Sequence, residues 1–411
     1  RSLAAAAARR RRTGRCAVAE LSLDEAATAL GGEHRAKELW RLLREGRDPF
    51  SEGPGGLGRE ARSRLRDLDG SGALAAALRD EAVESLTSSP SARLPASADQ
   101  PVVAPGQYVY GDLETTVQQG LGVGRGTAKF LLRLHDGHAV ESVLIPQVEA
   151  LAEMRQRLAG RRASSTTICI SSQVGCAQGC GFCKTASMGI VRNLHPDELV
   201  AQVVQGRRLA SALGLPPATN VVLMGMGEPL ANLASVLPAV AAMTDSRRLA
   251  VGGKKVVVST VAPSPAQVRA LGGLRCQLAW SLHCADDALR RQLVRSARYP
   301  AAELREAFAE VFSSGRMPAL GRRLMVAVVL LRGVNDNVLH ARELADFLRP
   351  LVETHGITIL IDLIPYNDAG DTGFARPTPE AVLAFKEQVW DSCPQLCVHV
   401  RHPRGEAAAA A

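Results

Sequence analysis

No apolar run in this sequence reaches the length of about 18 residues that a bilayer span requires, so a transmembrane helix is excluded and no membrane partner is expected. No Asp or Glu occurs among residues 1–19, where Arg1, Arg9, Arg10, Arg11, Arg12 and Arg15 stand among alanines. An acid-free, arginine-rich start fits the remnant of an organellar transit peptide, with a chloroplast stroma favoured over a mitochondrial matrix or the cytoplasm; a basic tail without that role is the alternative. The nine cysteines are an odd number, and four of them crowd between positions 169 and 183, which argues against a disulfide framework and for a reducing compartment. The chain also lacks an initiating Met and a polar closing segment, beginning at Arg1 and ending in Ala407–Ala411, so it reads as a fragment at both ends. What remains is ordinary for a globular protein of about two domains: 46% hydrophobic and 22% charged residues over 411 positions. The net charge of +8 favours a polyanionic partner, and a monomer is expected.

The most specific stretch is Ile168-Cys169-Ile170-Ser171-Ser172-Gln173-Val174-Gly175-Cys176-Ala177-Gln178-Gly179-Cys180-Gly181-Phe182-Cys183. Cys176, Cys180 and Cys183 form a C-x3-C-x2-C triad in a glycine-rich loop, directly after a β-branched run that reads as a strand. Three thiolates on one loop suit an iron–sulfur cluster; a cubane usually takes four, so three leave one iron open to substrate. Glycines 175, 179 and 181 let the backbone wrap closely around such a group. Zinc with His195 as a fourth ligand is the rival, disfavoured because structural zinc uses paired knuckles and only one is present.

In chain order, Ser22 to Glu25 form a capping box before a short helix that Gly31-Gly32 stops, and Ala36, Leu39, Trp40 and Leu43 recur at helical spacing. With 59–68 and the alanine-rich 73–88, they predict a helical accessory domain over 20–88, preceded by a basic tail over 1–19. Residues 89–107 read as a linker; 126–134 and 139–146 read as two strands joined at Asp136-Gly137, so that 89–165 holds a linker and a β-hairpin connector. From 166 to 402 strands and helices alternate. Strands are predicted at 166–171, 219–225, 254–260, 276–282, 324–331 and 357–364. Helices are predicted over 196–213, 230–244, 264–272, 286–312 and 336–349, followed by a helix at 378–390 and a short strand at 397–401. Six strands with helical crossovers predict an α/β fold with a partial (β/α)6 TIM-type barrel, and 403–411 begins a C-terminal segment.

Reactive groups of parallel barrels collect at the C-terminal ends of the strands. The cysteine loop, Gly227-Glu228, Ser259, Ser281-Leu282-His283 and Asn367 all fall there. Each has a plainer reading: Glu228 as a helix N-terminal acid, Ser259 as a strand-end cap, Asn367 as a turn former. His283 is placed to titrate near neutral pH. Cys276, Cys284, Cys393 and Cys397 read as small core hydrophobes. Basic pairs at 207–208, 247–248, 254–255 and 322–323, with Arg290, Arg291, Arg295 and Arg298, would bind structured RNA if they shared the rim, and are solvated surface otherwise.

The triad with Phe182 before its last cysteine resembles the signature of radical S-adenosylmethionine (SAM) enzymes. Its continuation Lys184-Thr185-Ala186-Ser187-Met188-Gly189, the segment Arg192-Asn193-Leu194, and Asn220 to Leu230 resemble more narrowly the RlmN/Cfr family of RNA adenosine methyltransferases, from about residue 20 to the end. The resemblance implies a radical-SAM barrel with an N-terminal RNA-binding domain. It implies a 4Fe-4S cluster on Cys176, Cys180 and Cys183, SAM contacts at Gly227, Glu228, Ser259, Ser281, Leu282, His283 and Asn367, and an external electron donor for the cluster. It implies Glu141 as a proton acceptor, Cys169 as the cysteine that releases product, and adenine C2 in large-subunit rRNA or tRNA as the target. The family's methyl-carrying cysteine follows an Arg-Gly pair; here Arg404-Gly405-Glu406 leads into alanines, and the cysteine is expected just past Ala411. A radical-SAM enzyme of another reaction type and a non-catalytic RNA-binding relative are the alternatives.

Overall fold

The computed structural model describes residues 17–53, 55–70, 72–78, 83–86, 127–147, 165–314, 321–367 and 372–401. The linker expected at 89–107, most of the basic tail and the segment 403–411 lie outside them. Among the described residues no helix is long and apolar enough to cross a membrane.

The centre of the molecule is a run of parallel strands whose spatial order follows the chain. β4 (Ser165–Ile170), β7 (Ala218–Leu223), β8 (Val256–Thr260), β9 (Gln277–Ser281), β10 (Arg323–Leu330), β11 (Thr358–Pro365) and β12 (Cys397–Val400) lie side by side in that sequence. Every adjacent pair is parallel, so each step needs a helical crossover. Those helices are α5 (Pro196–Ala212), α6 (Leu233–Thr244), α7 (Pro265–Arg269), the pair α8 (Asp287–Leu293) and α9 (Ala301–Ser313), α10 (Val338–Glu353) and α11 (Pro379–Ser392). A sheet order that never reverses is that of a singly wound partial barrel, as expected, with β12 joining the parallel set as a seventh strand.

Alternation sets which side chains meet the lumen. In β4 Thr166, Ile168 and Ile170 are buried, and Ile168 lies so close to α5 that a Cβ at Gly206 would come within 2.9 Å of it. Ser165, Thr167 and Cys169 therefore face the other way, into the lumen.

Ahead of the barrel the sheet continues in antiparallel order through β3 (Ala139–Gln147), β2 (Ala128–Arg133) and β1 (Val83–Leu86). The hairpin is thus part of the barrel's own sheet. Helices α1 (Leu23–Leu30), α2 (Glu33–Arg44), α3 (Arg59–Leu68) and α4 (Ala73–Leu78) form as expected: Ser22 Oγ accepts from Glu25 N at 3.2 Å, and Gly31, at φ +81°, ends α1.

Four expectations are corrected. Residues 73–88 do not form one helix: the described helix covers Ala73–Leu78, and Val83–Leu86 is a strand that pairs with β2. The stretch 286–312 is two helices, because Pro300 starts the second one. The helical region 20–88, expected as an accessory domain, shares its core with the barrel among the described residues: Trp40, Leu43 and Leu74 belong to the same buried cluster as Leu199 and Val203 of α5. Residues 17–19 are not tail, since Val18 N and Ala19 N donate to the buried carboxylate of Asp197 at 2.8 and 2.6 Å.

One of the expected basic pairs and half of another are structural staples, while Arg247 is exposed. Arg207 donates to the carbonyls of Arg44 and Leu249, and Arg208 to those of Gly46 and Leu78. Arg248 reaches Ala19 O and Leu21 O, with its guanidinium 5.7 Å from the centre of the Trp40 ring. All three are spent on tying the N-terminal helices to α5 and α6.

Candidate active site

The cysteine loop leaves the C-terminal end of β4 and is pinned on both sides. On one side a small hairpin of β5 (Gln173–Gly175) and β6 (Ile190–Asn193) closes it, with Cys176 N donating to Gly189 O at 2.6 Å. Gly175 has φ +79°, and a Cβ there would fall 2.0 Å from Gly189 O, so only glycine permits this closure. On the other side Gly181 N donates to Leu293 O at 2.9 Å, and Cys180 bridges to Val294, which docks the loop on the end of α8. Phe182 meets the His283 ring edge-on at 4.8 Å, joining the loop to the end of β9.

Cys176, Cys180 and Cys183 lie close enough to act on one another electrostatically. Burial and then its two neighbours push the Cys180 thiol up to about 12, and burial first raises Cys176. Among the described residues no three His, Cys, Asp or Glu side chains are drawn into a ligand set. His195 is not gathered with the cysteines: it caps α5, its Nδ1 lying 3.9 Å from Asp197 Oδ2. Three soft donors on one tightly wrapped loop fit an iron–sulfur cluster with an open iron better than a closed zinc site.

The second wall is the turn after β7. Gly227 adopts φ +100°, and a Cβ there would lie 2.6 Å from Gln173 Cβ. Gln173 Oε1 accepts from Glu228 N at 2.8 Å, so the cysteine-loop hairpin and this turn are built onto each other. The Glu228 carboxylate is buried, which raises its pKa; it accepts from Leu230 N at 3.0 Å and Val261 N at 2.9 Å. Its capping role is therefore realised, and it links the ends of β7 and β8.

The remaining rim residues converge unevenly. Ser259 and Ser281, on neighbouring strands, bring their hydroxyls within 3.2 Å of each other. Leu282 puts its side chain in the main core, so only its backbone can reach the lumen. His283 does not titrate near neutrality as expected: it is buried, its pKa falls to about 3 through desolvation and then the Arg290 charge, and its Nδ1 accepts from Val329 N at 3.3 Å. Its φ of +63° is a strained, left-handed conformation for a non-glycine residue. Asn367 Oδ1 accepts from Arg376, which also donates to Tyr366 O. Glu141 pairs with Lys129 Nζ at 2.8 Å, and its carbonyl accepts from Ser171 Oγ at 2.6 Å. Cys169 is half-buried beside this pair, its thiol pushed up to about 12 by burial. Cys276, Cys284 and Cys393 are buried as expected, but Cys397 is exposed because β12 ends the sheet.

Sequence reasoning missed three polar supports. Gln202 of α5 accepts from Ser171 N and Ser142 Oγ and donates to Ser171 O, fixing β3 to the strand end that carries the cysteine loop. Asn335 donates to His283 O and Val329 O and accepts from Leu331 N, which holds the His283 backbone in place. Asn232 donates to Ser172 O and Leu194 O, bracing the base of the small hairpin. None has a local signature except Asn335, which lies in the polar turn Gly333-Val334-Asn335-Asp336.

Of the basic residues, Lys254-Lys255 and Arg322-Arg323 lie at the starts of β8 and β10, the end of the barrel opposite the cysteine loop. Arg290 is buried and donates to Val261 O. Arg291, Arg295 and Arg298 are exposed on the rim, with Arg295 packed beside the Cβ position of Gly179. The same rim exposes Met188, Ile190 and Val191.

No protein-family profile matches the chain. It is 38% identical over 293 residues to the dual-specificity RNA methyltransferase RlmN of Desulfotalea psychrophila, a match covering 70% of this chain and 73% of that one. The protein of the same name from Syntrophobacter fumaroxidans is 38% identical over 283 residues, 68% of this chain and 73% of its own. A probable RlmN from Synechocystis sp. is 37% identical over 287 residues, 69% of this chain and 72% of its own. Among solved structures, a radical SAM methyltransferase from Sphaerobacter thermophilus superposes with a TM-score of 0.70 at 28% identity, covering 97% of this chain and 98% of that one. Agreement in sequence over most of the barrel and in fold over nearly the whole chain, around a triad of cysteines at the strand ends, leads to one assignment: the chain belongs to the RlmN family of RNA methyltransferases.

Proposed function

We propose that this chain methylates C2 of an adenosine in large-subunit rRNA, and of an adenosine in tRNA, with a 4Fe-4S cluster and two molecules of SAM, through a methylated cysteine. The observation that carries the reading is the junction of the cysteine loop with the Gly227-Glu228 turn at the barrel mouth, two backbone cradles locked together through Gln173. The dual specificity in the relatives' names supports two RNA substrates.

An aromatic C2 is not nucleophilic, so transfer from a sulfonium needs radical chemistry. When bound, the cluster would supply the electron needed for reductive cleavage of SAM. The chain's own work is to bind, orient and exclude water. Cys176, Cys180 and Cys183 would hold the cluster. Gly227 brings bare backbone to the ligand, while Ser259 and Ser281 offer paired hydroxyls and Asn367 an amide. Glu228, with both oxygens engaged by backbone N–H groups, keeps the turn in shape. Glu141 and Cys169 stand together in the lumen to take protons from the substrate and to release the product. Arg291, Arg295 and Arg298 supply a phosphate-binding rim, and an external redox protein delivers the electron. A chloroplast address remains the reading of the N-terminal arginines, and a monomer the reading of the assembly.

The test is anaerobic reconstitution with iron, sulfide, SAM, a reductant and large-subunit rRNA, followed by digestion to nucleosides and mass spectrometry. A 2-methyladenosine that disappears in Cys176→Ala supports the reading. SAM cleavage with unmodified RNA would point to a different radical-SAM reaction, and RNA binding without bound iron to a non-catalytic relative.

A further inference from the structure

The cysteine loop is bordered at the barrel mouth by two exposed strips of different character. On one side, the turn leading into β6 and β6 itself leave Met188, Ile190 and Val191 48%, 43% and 55% exposed, and none of the three joins a buried cluster among the described residues. On the other side, the segment after α8 exposes Arg295, Arg298 and Tyr299. That segment stays at the mouth: Ser296 N donates to Gln178 O at 3.2 Å, and Ala301 N, where α9 begins, donates to Asp287 Oδ1 at the start of α8 at 2.8 Å.

The apolar strip is presented on a fixed support. Gly189 O accepts from Cys176 N at 2.6 Å, which ties the strip to the first cysteine of the triad. Arg192 donates from Nη1 and Nη2 to the two carboxylate oxygens of buried Glu198 at 2.8 and 2.9 Å, and Asn193 Oδ1 accepts from Gln173 Nε2 at 2.7 Å. The polar side chains of β6 are spent on the support, and the apolar ones are left facing solvent. A contiguous exposed apolar patch is the reverse of what burial favours, and it marks a contact surface.

Charge and chemistry identify the partner. Neither 173–196 nor 288–302 contains an Asp or Glu, so a phosphate backbone laid across the mouth meets no opposing carboxylate from either strip. Enzymes that act on a base take it out of its stack. C2 of adenine lies on the ring edge that pairing and stacking enclose, so a base that enters the lumen leaves unstacked neighbours behind. Apolar side chains fill such gaps as wedges, and an aromatic ring such as Tyr299 can carry a base on its face.

We propose that Met188, Ile190 and Val191 form an apolar wedge that packs against the unpaired bases flanking the target adenosine, across the mouth from the arginines that hold their phosphates. The inference rests on the reading of this chain as a methyltransferase acting on an RNA base, and adds the surface that keeps the RNA open.

The test uses the full-length, cluster-loaded enzyme and a large-subunit rRNA transcript. Met188→Gln, Ile190→Thr and Val191→Thr are combined, since each keeps the length or β-branching of the original and removes its apolar end. Bound iron and the visible absorption of the cluster should match wild type, while RNA affinity falls by about tenfold, as for the loss of a base contact. The slope of log affinity against log salt should not change, because apolar contacts release no counterions. Leu383→Gln with Trp390→Gln, an exposed apolar pair on α11, should leave RNA affinity at the wild-type value. A second measurement needs no variant: wild-type enzyme irradiated with transcript carrying 4-thiouridine and 6-thioguanosine should crosslink within 184–193. Where the substitutions unseat the iron, the crosslinks decide alone. Wild-type affinity in the triple variant, a flattened salt slope, an equal loss in the α11 pair, or a crosslink map without 184–193 would overturn the proposal. So would normal RNA binding with turnover lost only when a redox protein replaces dithionite, which would assign the strip to the electron donor. If the wild-type enzyme bound and crosslinked the transcript without methylating it, the C2 reading would fail and the wedge would stand.

Discussion

Replacing Gly227 by alanine tests whether the turn after β7 is a built ligand cradle. The new methyl would lie 2.6 Å from Gln173 Cβ, 2.7 Å from Gln173 N and 2.8 Å from Gln173 Cγ, all inside contact distance. Gln173 has nowhere to withdraw. Its backbone N donates to Met226 O at 3.3 Å, its Nε2 to Asn193 Oδ1 at 2.7 Å, and its Oε1 accepts from Glu228 N. A left-handed backbone costs an L residue about 1–2 kcal/mol, and overpacking adds about 1–3 kcal/mol. The turn can relieve the second part only by moving away from Gln173, which displaces Gly227 and Glu228 from the mouth. Gly137→Ala is the control: its φ of +86° carries the backbone strain, but no atom lies within 4 Å of the new methyl. Thermal unfolding should show Gly227→Ala destabilised by about 2–5 kcal/mol and Gly137→Ala by about 1–2 kcal/mol. Equilibrium dialysis with SAM on the reconstituted enzyme should show binding weakened about tenfold or more in Gly227→Ala alone, since a turn displaced at a cost of about 1.4 kcal/mol already loses a factor of ten. Wild-type SAM affinity in Gly227→Ala, with stability equal to the control, would refute the reasoning.

Three further outcomes follow from the geometry. Burial pushes the Asp197 carboxyl up to about 7 from an ordinary value of 3.8, so its contribution to stability is complete below about pH 4 and is lost as pH rises through about 7. An amide in its place cannot ionise; urea unfolding of Asp197→Asn should therefore lie below wild type near pH 5 and gain on it near pH 8, and a constant gap would contradict this. Converting Arg291, Arg295 and Arg298 together to Gln should weaken RNA binding and flatten the slope of log affinity against log salt by about 2, while Lys254→Gln with Lys255→Gln, at the far end of the barrel, leaves both unchanged in a filter-binding titration. Asn335→Leu leaves His283 O and Leu331 N without their buried partner and should cost about 2–4 kcal/mol in chemical unfolding.

What could be read from sequence was whatever has a local signature. The C-x3-C-x2-C loop announces itself because its ligands lie within eight residues of each other. The barrel strands are β-branched runs separated by helical lengths, and all six were found within a few residues of their ends. The capping box at Ser22 and the hairpin turn at Asp136-Gly137 are equally local.

What escaped depends on distant partners. The stretch 17–19 reads as tail, and Asp197 and Arg248, 178 or more positions away, make it structural. Arg207, Arg208 and Arg248 carry the same charge as Arg295, and only the carbonyls facing them tell staple from surface. The expectation for His283 failed because desolvation comes from neighbours that no spacing discloses. Residues 83–86 follow a helix-favouring alanine run but are recruited by an edge: β2 offers its unpaired backbone, and tertiary pairing overrides local propensity. Pro300 was a missed local signal, since proline suits the start of a helix and interrupts its middle.

The central claim is that the methyl carbon reaches adenine through radical chemistry on a protein-bound methyl group, and isotopic labelling tests it most directly. SAM carrying a fully deuterated methyl group is supplied to the reconstituted enzyme with rRNA, and the methyladenosine product is weighed by mass spectrometry. The account predicts a product one deuterium short of full label, with that deuterium recovered in 5′-deoxyadenosine. A product that keeps every deuterium would mean direct transfer from the sulfonium and would contradict the account.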